Sequence, residues 1–201
     1  AQNHTYVVHQ PFLNPVRPAT QFINDAAEIR DFVEKAFELT TKEKLPDDFT
    51  IEILKEEEFR RIKKEKGVLG FSINRKKSGM SRVVVKENNL DALMIVVGHE
   101  IGHILTEQAL TPQDEEAKAF AFQFAWAKAI FEHDIAGLRM SINSGIFQPA
   151  QNGIHDIAFS FVQKLISSGR KSLEIYGLIA AGIIGINNWS LVDFSYNRRP
   201  K

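Results

Sequence analysis

The sequence predicts an α+β fold, in which helices pack against a small three-stranded sheet. Two observations lead to this class. Helical and strand-like patterns alternate up to about residue 90, and longer helical patterns follow. A hydrophobic share of 44% and 15 phenylalanines in 201 residues are sufficient for a sizeable core. We expect three parts: an N-terminal extended arm, residues 1–23, a central domain, residues 24–133, and a helical extension packed on it, residues 134–201.

Proline and helical periodicity define the first elements. The arm contains Pro11, Pro15 and Pro18, which favour an extended chain. A helix is predicted from Asn24, because apolar residues recur there at helical spacing: Ala27, Ile29, Phe32, Val33, Ala36, Phe37 and Leu39. Residues 44–48, with a proline in their centre, end this helix.

Three strands and a surface helix are predicted next. Residues 49–54 alternate apolar and polar side chains, as a half-buried strand does. The charged stretch 56–65 is typical of a surface helix. Residues 68–73 and 82–85 are predicted to form two further strands, joined by a turn at 76–79. Asn89 or Asp91 can cap the helix that follows.

Two more helices are predicted in the C-terminal extension, at about 152–168 and 171–186. The longest apolar run, Ile175 to Ile186, is twelve residues long and contains three glycines. It is too short to span a bilayer, so it predicts a buried helix and no membrane partner. Residues 197–201 are expected to form a flexible tail.

Charge and composition exclude several functional classes. The chain has 25 basic and 25 acidic residues, and this zero net charge argues against nucleic acid as the main partner. Cysteine is absent, which excludes disulfides, thiolate metal sites and cysteine nucleophiles. The first residues lack the charged-then-apolar pattern of a signal peptide, so we expect a cytoplasmic protein.

Lysines and arginines are concentrated between residues 55 and 86. We interpret this stretch as a solvated face, and the alternative is a basic rim that attracts an acidic substrate or partner. The residues are Lys55, Arg60, Arg61, Lys63, Lys64, Lys66, Arg75, Lys76, Lys77, Arg82 and Lys86.

The most informative pattern is His99-Glu100-Ile101-Gly102-His103. On a helix, residues i and i+4 project from the same face one turn apart, so both imidazoles can reach one metal ion. Glu100 points toward the same cleft and can take a proton from a metal-bound water. The preceding residues 90–98 are mostly apolar, which predicts the buried start of this helix. The alternative is a buried helix whose histidines are satisfied by neighbouring polar groups.

A third metal ligand is expected on the next helix, because catalytic zinc usually has three protein ligands. A helical wheel of this acidic, alanine-rich helix predicts a solvent arc of Asp114, Glu115, Lys118, Lys128 and Glu132, with Glu116 and Gln123 on the opposite, apolar side. A buried carboxylate is costly unless it is paired or metal-bound, so Glu116 is the preferred ligand. Asp114 is the second choice and Glu115 a further one. The alternative is a frayed first turn, where these acids only favour the helix dipole.

The two helices together resemble those of the gluzincin metallopeptidases. His99-Glu100-Ile101-Gly102-His103 followed by an acidic, alanine-rich helix is similar to the minigluzincins and to peptidase domains of the ImmA/IrrE type. The resemblance covers about residues 24–132 and implies a zincin-like lobe with a small sheet, an HExxH helix and a glutamate helix. One departure concerns the ligand: aligning Phe120-Ala121 with the family's Phe-Ala pair places Asp114 in the ligand position, whereas Glu116 with Ala119 satisfies Glu-x-x-Ala.

The activity implied by this resemblance is zinc-dependent hydrolysis of peptide bonds in a peptide or protein substrate. Zinc is expected to be held by His99, His103 and Glu116 and to activate a bound water, with Glu100 as the general base. An extended peptide could add to a strand edge, at residues 83–85 or 70–72.

Two side chains are candidates for a donor to the tetrahedral oxyanion that forms during hydrolysis. They are His155, beside Asp156, and Tyr176. For His155 the simpler interpretation is a histidine near a helix start with a local partner. In minigluzincins a chain terminus can block the cleft, so either end of this chain could do so.

The alternative function is a zincin-like regulatory or binding protein that carries a structural or sensing metal and does not hydrolyse peptides. The presence of Glu100 favours the enzyme, because a purely structural metal site has no need of a base.

Overall fold

A computed structural model describes residues 10–76, 78–143 and 154–188. Within these ranges the chain forms six α-helices and two small sheets, which agrees with the predicted α+β class. The strands are β1 (Phe22–Ile23), β2 (Phe49–Leu54), β3 (Gly70–Ile73), β4 (Ser81–Lys86) and β5 (Asn88–Asn89). The helices are α1 (Arg30–Thr41), α2 (Glu56–Ile62), α3 (Leu90–Ile104), α4 (Pro112–His133), α5 (Ile154–Ser167) and α6 (Ser172–Ala180).

The larger sheet has the strand order β2-β4-β3, with β4 in the centre. β4 runs parallel to β2, with Ile51 opposite Val83, and antiparallel to β3, with Ser72 opposite Val83. One of the two strand edges suggested for peptide binding is therefore wrong. Residues 83–85 are paired on both sides, whereas residues 70–72 belong to β3, which lies at an edge of this sheet.

Helix α3 packs between the sheet and α4, and its sequence explains this position. Residues 90–98 are apolar on every side apart from Asp91, and a helix that is hydrophobic all round is buried. On the sheet side α3 contacts β3 and β4, while α4 lies on another side and also contacts α1, α5 and α6. Asn89 occupies the N-cap of α3, but its side chain makes no capping hydrogen bond.

Two glycines of α3 allow α4 to pack unusually close to it. A Cβ atom on Gly98 would lie 2.4 Å from Cδ1 of Trp126, and one on Gly102 would lie 2.9 Å from Cα of Ala119. Real Cβ atoms do not approach other atoms this closely. The two helices are therefore in contact along a surface that only glycine permits.

The described part of the arm lies against the domain. The ring of Phe12 is fully buried, with its centroid 4.9 Å from that of Phe124. Leu13 pairs with Ile142, and the side chains of Arg17 and Thr20 bind the carboxylate of Asp91. β1 then pairs antiparallel with β5, a contact that the sequence did not predict. The arm thus covers the start of α3.

Several elements are shorter than the sequence predicts. A 3-10 turn at Ala26–Glu28, capped by Asp25, takes the place of the first predicted turns of α1. The predicted helix 171–186 ends at Ala180 because Gly182 adopts a left-handed conformation, with φ of 68°. The amides of Gly182 and Ile183 bond to the carbonyls of Ile179 and Leu178, which is a Schellman ending.

The first residues of the other predicted C-terminal helix, 152 and 153, and the predicted tail, 197–201, lie outside the described residues. Among the residues that are described, no helix combines the length and the apolar character needed to cross a bilayer.

Gly102→Ala is expected to lower the free energy of unfolding by about 1–3 kcal/mol, because its Cβ would meet the backbone of Ala119. Gly177→Ala in α6 is the matched control, since a Cβ there meets nothing within 4 Å. The control should gain up to about 1 kcal/mol from better helix propensity. Denaturant unfolding of both variants measures the difference. Equal stability of the Gly102 variant and the parent would show that the helices do not need this glycine.

Candidate metal centre

Three side chains from α3 and α4 converge at one point. His99 and His103 lie one turn apart on α3, as their spacing predicts, and Glu116 is in the first turns of α4. His99 Nε2 lies 3.3 Å from Glu116 Oε2, and His103 Nε2 lies 3.8 Å from Glu116 Oε1. One nitrogen from each histidine and one carboxylate oxygen lie within 4.8 Å of one another. The group can therefore hold a metal ion.

The donor set fits zinc chemically. Two imidazole nitrogens and one carboxylate oxygen are a common ligand set for catalytic zinc, which keeps a further position for water or substrate. His99 is 2% exposed, and Glu116 is mostly buried among the imidazoles of His99, His103 and His155. A buried carboxylate between imidazole nitrogens is the arrangement that a cation stabilises.

Asp114 and Glu115, the other candidates for third ligand, have different partners. Asp114 accepts hydrogen bonds from the hydroxyl of Thr111, at 2.7 Å, and from the amide of Ile186, at 2.8 Å. It therefore fixes the start of α4 to the segment that follows α6. Glu115 bonds to His103 Nδ1 at 2.8 Å, on the side of the ring away from the convergent group. Of the three acids, Glu116 is the one placed among the histidine Nε2 atoms.

The predicted solvent arc of α4 is wrong at two positions. Lys128 is exposed as expected, but Glu115 is 7% exposed and Lys118 is fully buried. The segment between α3 and α4 covers this side of α4, and Lys118 Nζ binds the carbonyl of Glu107 at 2.9 Å and Glu115 Oε2 at 3.0 Å. Gln123 lies on the buried side, as the wheel predicts.

Neighbouring side chains orient both histidines. His99 Nδ1 lies 3.1 Å from Gln123 Oε1, and Gln123 Nε2 donates to the carbonyl of Ile95 at 3.2 Å. Because the amide nitrogen is used by Ile95, its oxygen faces His99, which must then carry its proton on Nδ1. Glu115 does the same for His103. Each Nε2 atom is thereby directed to the convergent group, where binding of a metal would require it to be unprotonated.

The alternative interpretation, in which neighbouring polar groups satisfy both histidines, accounts for only half of this arrangement. Neighbouring polar groups do satisfy the two Nδ1 atoms, but the two Nε2 atoms meet at Glu116. The wheel placed Gln123 inside without identifying its role. The contact between Glu115 and His103 could have been suspected from the sequence. Glu115 and Lys118 are three residues apart on a helix, so they can pair with each other, and such a pair need not face solvent.

Glu100 lies beside the convergent group and is 6% exposed. Burial raises the pKa of its carboxyl group, and the positive potential of His103 and His99 opposes this effect. The side chain of Ser72 on β3 lies close enough to the Glu100 carboxylate to oppose the rise of its pKa. A Cβ on Gly70, two residues earlier, would lie 3.1 Å from Glu100 Oε1, so glycine leaves room for this side chain. Strand β3 thus positions Glu100.

The imidazoles around Glu116 favour the charged form of its carboxyl group. Burial works to raise the pKa of Glu116, but the close contacts with the imidazoles of His155, His99 and His103 hold this pKa well below its usual value. His155 Nδ1, on α5, lies 3.0 Å from Glu116 Oε2. The candidate His155 is therefore part of the site and is in contact with Glu116.

Tyr176, the other candidate donor, is not brought to the convergent group. Its hydroxyl donates to Thr106 Oγ1 at 3.3 Å, and its ring packs on Phe122. Burial raises the pKa of Tyr176 to about 12.

A cleft of about 730 Å³ gives access to the site. It is lined by β3, by the histidines and glutamate of α3, by the segment 108–112, by the start of α4 and by His155. Asn74, just after β3, donates to the carbonyls of His103 and Thr106 at 2.7 Å each, which ties the edge strand to the end of α3. The edge of β3 therefore runs along the cleft in a fixed position.

The basic stretch 55–86 has two parts in the structure. Several of its members pair with acids of the sheet and its neighbours: Arg82 with Glu52, Lys86 and Arg60 with Glu56, and Lys76 with Asp48. Lys63 instead lies over the ring of Phe71 and lines the cleft together with Glu65. Lys63 and Glu65 have opposite charges, so this part of the cleft rim does not favour an acidic substrate. The prediction that the basic stretch is a solvated face therefore stays in place.

Comparisons with protein-family models, with curated proteins and with solved structures find no match to this chain. The geometry of the site is therefore the basis of any functional assignment.

Glu116→Ala is expected to weaken zinc binding strongly, because only two histidines would remain as ligands. Asp114→Ala should leave zinc affinity near that of the parent. It should lower the free energy of unfolding by about 1–2 kcal/mol, since it removes the hydrogen bonds from Thr111 and from the amide of Ile186. Zinc titration and denaturant unfolding of the two variants separate these effects. If zinc binds more weakly to the Asp114 variant than to the Glu116 variant, the assignment of the third ligand is wrong.

Proposed function

We propose that this protein is a zinc-dependent metallopeptidase of the gluzincin kind, built on a zincin-like lobe. The observation that supports the proposal most directly is the convergence of His99, His103 and Glu116 beside the buried Glu100, on the wall of one cleft. The order of elements agrees with such a lobe: a three-stranded sheet, then the HExxH helix α3, then the glutamate helix α4.

The residues of the chain have distinct tasks in this proposal. His99, His103 and Glu116 would hold the ion. A bound zinc ion would supply Lewis acidity, which makes water more acidic and polarises the carbonyl of a peptide bond. Glu100 would take the proton of the attacking water and deliver it to the leaving amine. Its raised pKa suits both halves of that task, because a carboxyl group whose pKa moves toward the working pH can both accept and return a proton.

Strand β3 would hold the substrate. It lies at the edge of its sheet, it runs along the cleft, and its backbone can accept an extended peptide as an added strand. Ser72, in the same strand, lies beside Glu100, so one element would place the peptide backbone next to the base.

The imidazole of His155 would stabilise the developing oxyanion. It lines the cleft and is anchored by its contact with Glu116, 3.0 Å away. Donors that are already oriented before the reaction are effective in this role. Tyr176 is bound to Thr106 instead and has no part in the proposal.

One zinc ion per chain is expected in the purified protein, and His99→Ala or His103→Ala should abolish its binding. The reason is that each variant removes one of the three ligands that converge. Elemental analysis measures the metal content. His133→Ala is the control, since this exposed histidine at the end of α4 lies outside the group and should not affect zinc. A parent protein that contains no zinc and does not take up added zinc would exclude the site.

Glu100→Gln should retain zinc and lose hydrolysis. The substitution keeps the shape of the side chain and removes the base, so the cleavage rate should fall by a factor on the order of 10² or more. The assay is cleavage of an unstructured protein such as casein, with and without a chelator. A variant that cleaves as fast as the parent would exclude Glu100 as the base. If the zinc-loaded parent also cleaves nothing, the regulatory or binding protein becomes the favoured function.

A further inference from the structure

Lys118 is the most unusual charged residue of the described structure, because its side chain is completely buried. Its ammonium group has three acceptors: Glu107 O at 2.9 Å, Glu115 Oε2 at 3.0 Å and His103 O at 3.4 Å. Burying a charge is costly even when it is paired, and an apolar side chain of similar size could fill the same space. The position therefore calls for an explanation other than packing.

The partner of Lys118 holds a candidate metal ligand. One oxygen of Glu115 accepts from Lys118 and from the amide of Ala109, at 2.6 Å, and the other meets His103 Nδ1 at 2.8 Å. With three donors on two oxygens, the carboxylate has a single orientation. The Nδ1–H of His103 points to it, and the Nε2 atom is directed to Glu116.

The two histidines differ in the group that their Nδ1 atoms contact. His99 donates to the neutral amide of Gln123, whereas His103 donates to an ionised carboxylate. An imidazole whose N–H is bound by a carboxylate carries more negative charge on its other nitrogen, and it is a stronger metal ligand. His103 is therefore the ligand whose strength depends on its surroundings.

The charges around the site explain why a lysine is needed. Glu100, Glu115 and Glu116 bring three carboxyl groups into a largely buried region. Among the described residues, Lys118 is the one lysine or arginine whose amine contacts any of the three. Without it, a negative Glu115 would be repelled by Glu116 and would keep two of its three donors, Ala109 N and His103 Nδ1.

We propose that Glu115 and Lys118 form a positioning pair for the metal site: Glu115 fixes the tautomer and direction of His103, and Lys118 holds Glu115 in place. Neither side chain belongs to the convergent group of His99, His103 and Glu116. The inference rests on the proposed metal site but not on hydrolysis. It predicts that removal of a charge from the far side of His103 weakens metal binding.

Three variants test the pair: Glu115→Gln, Lys118→Met and the double variant. Zinc affinity is measured by competition with a chromophoric chelator, and folding by thermal unfolding in excess chelator. Glu115→Gln and Lys118→Met should each bind zinc 10–100-fold more weakly. Lys118→Met leaves a buried carboxylate unpaired and should also unfold at a lower temperature. The double variant removes both charges, so it should regain thermal stability without regaining zinc affinity.

Matched controls come from the same helix. Lys128 and Glu132 form an exposed i,i+4 pair, and Lys128→Met and Glu132→Gln make the same chemical changes away from the site. Both should bind zinc as the parent does. A spectroscopic readout follows the histidine itself: the Nδ1 proton of His103 should resonate far downfield in the parent and move upfield in Glu115→Gln and Lys118→Met, and in neither control.

The outcomes separate this inference from the proposed function. Zinc affinities of Glu115→Gln and the double variant within twofold of the parent, together with lower thermal stability, would show that the pair only supports the fold. If the parent protein binds zinc but cleaves no peptide, the peptidase proposal is wrong. The zinc affinities of the variants still decide the role of the Glu115–Lys118 pair in that case. A parent that binds no zinc overturns both.

Discussion

The close contact between α3 and α4 is the constraint on which the candidate site depends. Gly98 and Gly102 present no Cβ to Trp126 and Ala119, so the two helices lie near enough for the carboxylate of Glu116 to reach both imidazoles. Each glycine directly precedes one of the histidines. The two glycines are four residues apart, and so are the two histidines. One face of α3 therefore packs on α4, and the adjacent face carries the two candidate ligands. Bulkier residues at the two glycine positions would separate the ligands.

The sequence predicted the features that depend on local periodicity. The alternation over residues 49–54 corresponds to β2, the apolar residues 90–98 form the buried part of α3, and the spacing of the two histidines places both imidazoles on one face. Glu116 was selected by the helical wheel and does lie at the convergent group. These outcomes follow from backbone geometry that neighbouring residues share, so they need no knowledge of distant contacts.

What the sequence did not predict depends on segments far apart in the chain. A helical wheel assumes that one side of a helix faces water, but the segment after α3 covers the side of α4 that carries Lys118. The pairing of β1 with β5 joins residues more than sixty positions apart, and no local pattern marks it. The same holds for Ser72, whose contact with Glu100 exists because β3 lies beside α3. Burial and long-range pairing are products of the fold and cannot be assigned from a single helix or strand.

The surroundings of the three candidate ligands support the proposed reacting metal over a structural one. A structural zinc site is closed by four protein ligands, whereas the described residues bring three together beside a cleft of about 730 Å³. A structural site also gains nothing from a further buried carboxylate, since Glu100 adds a negative charge that burial disfavours. That carboxylate nevertheless lies beside Ser72 of an edge strand, where Gly70 leaves room for it. The fold thus places a buried carboxylate, a strand edge and three candidate ligands around one cleft, and this combination supports the proposed hydrolysis of a peptide.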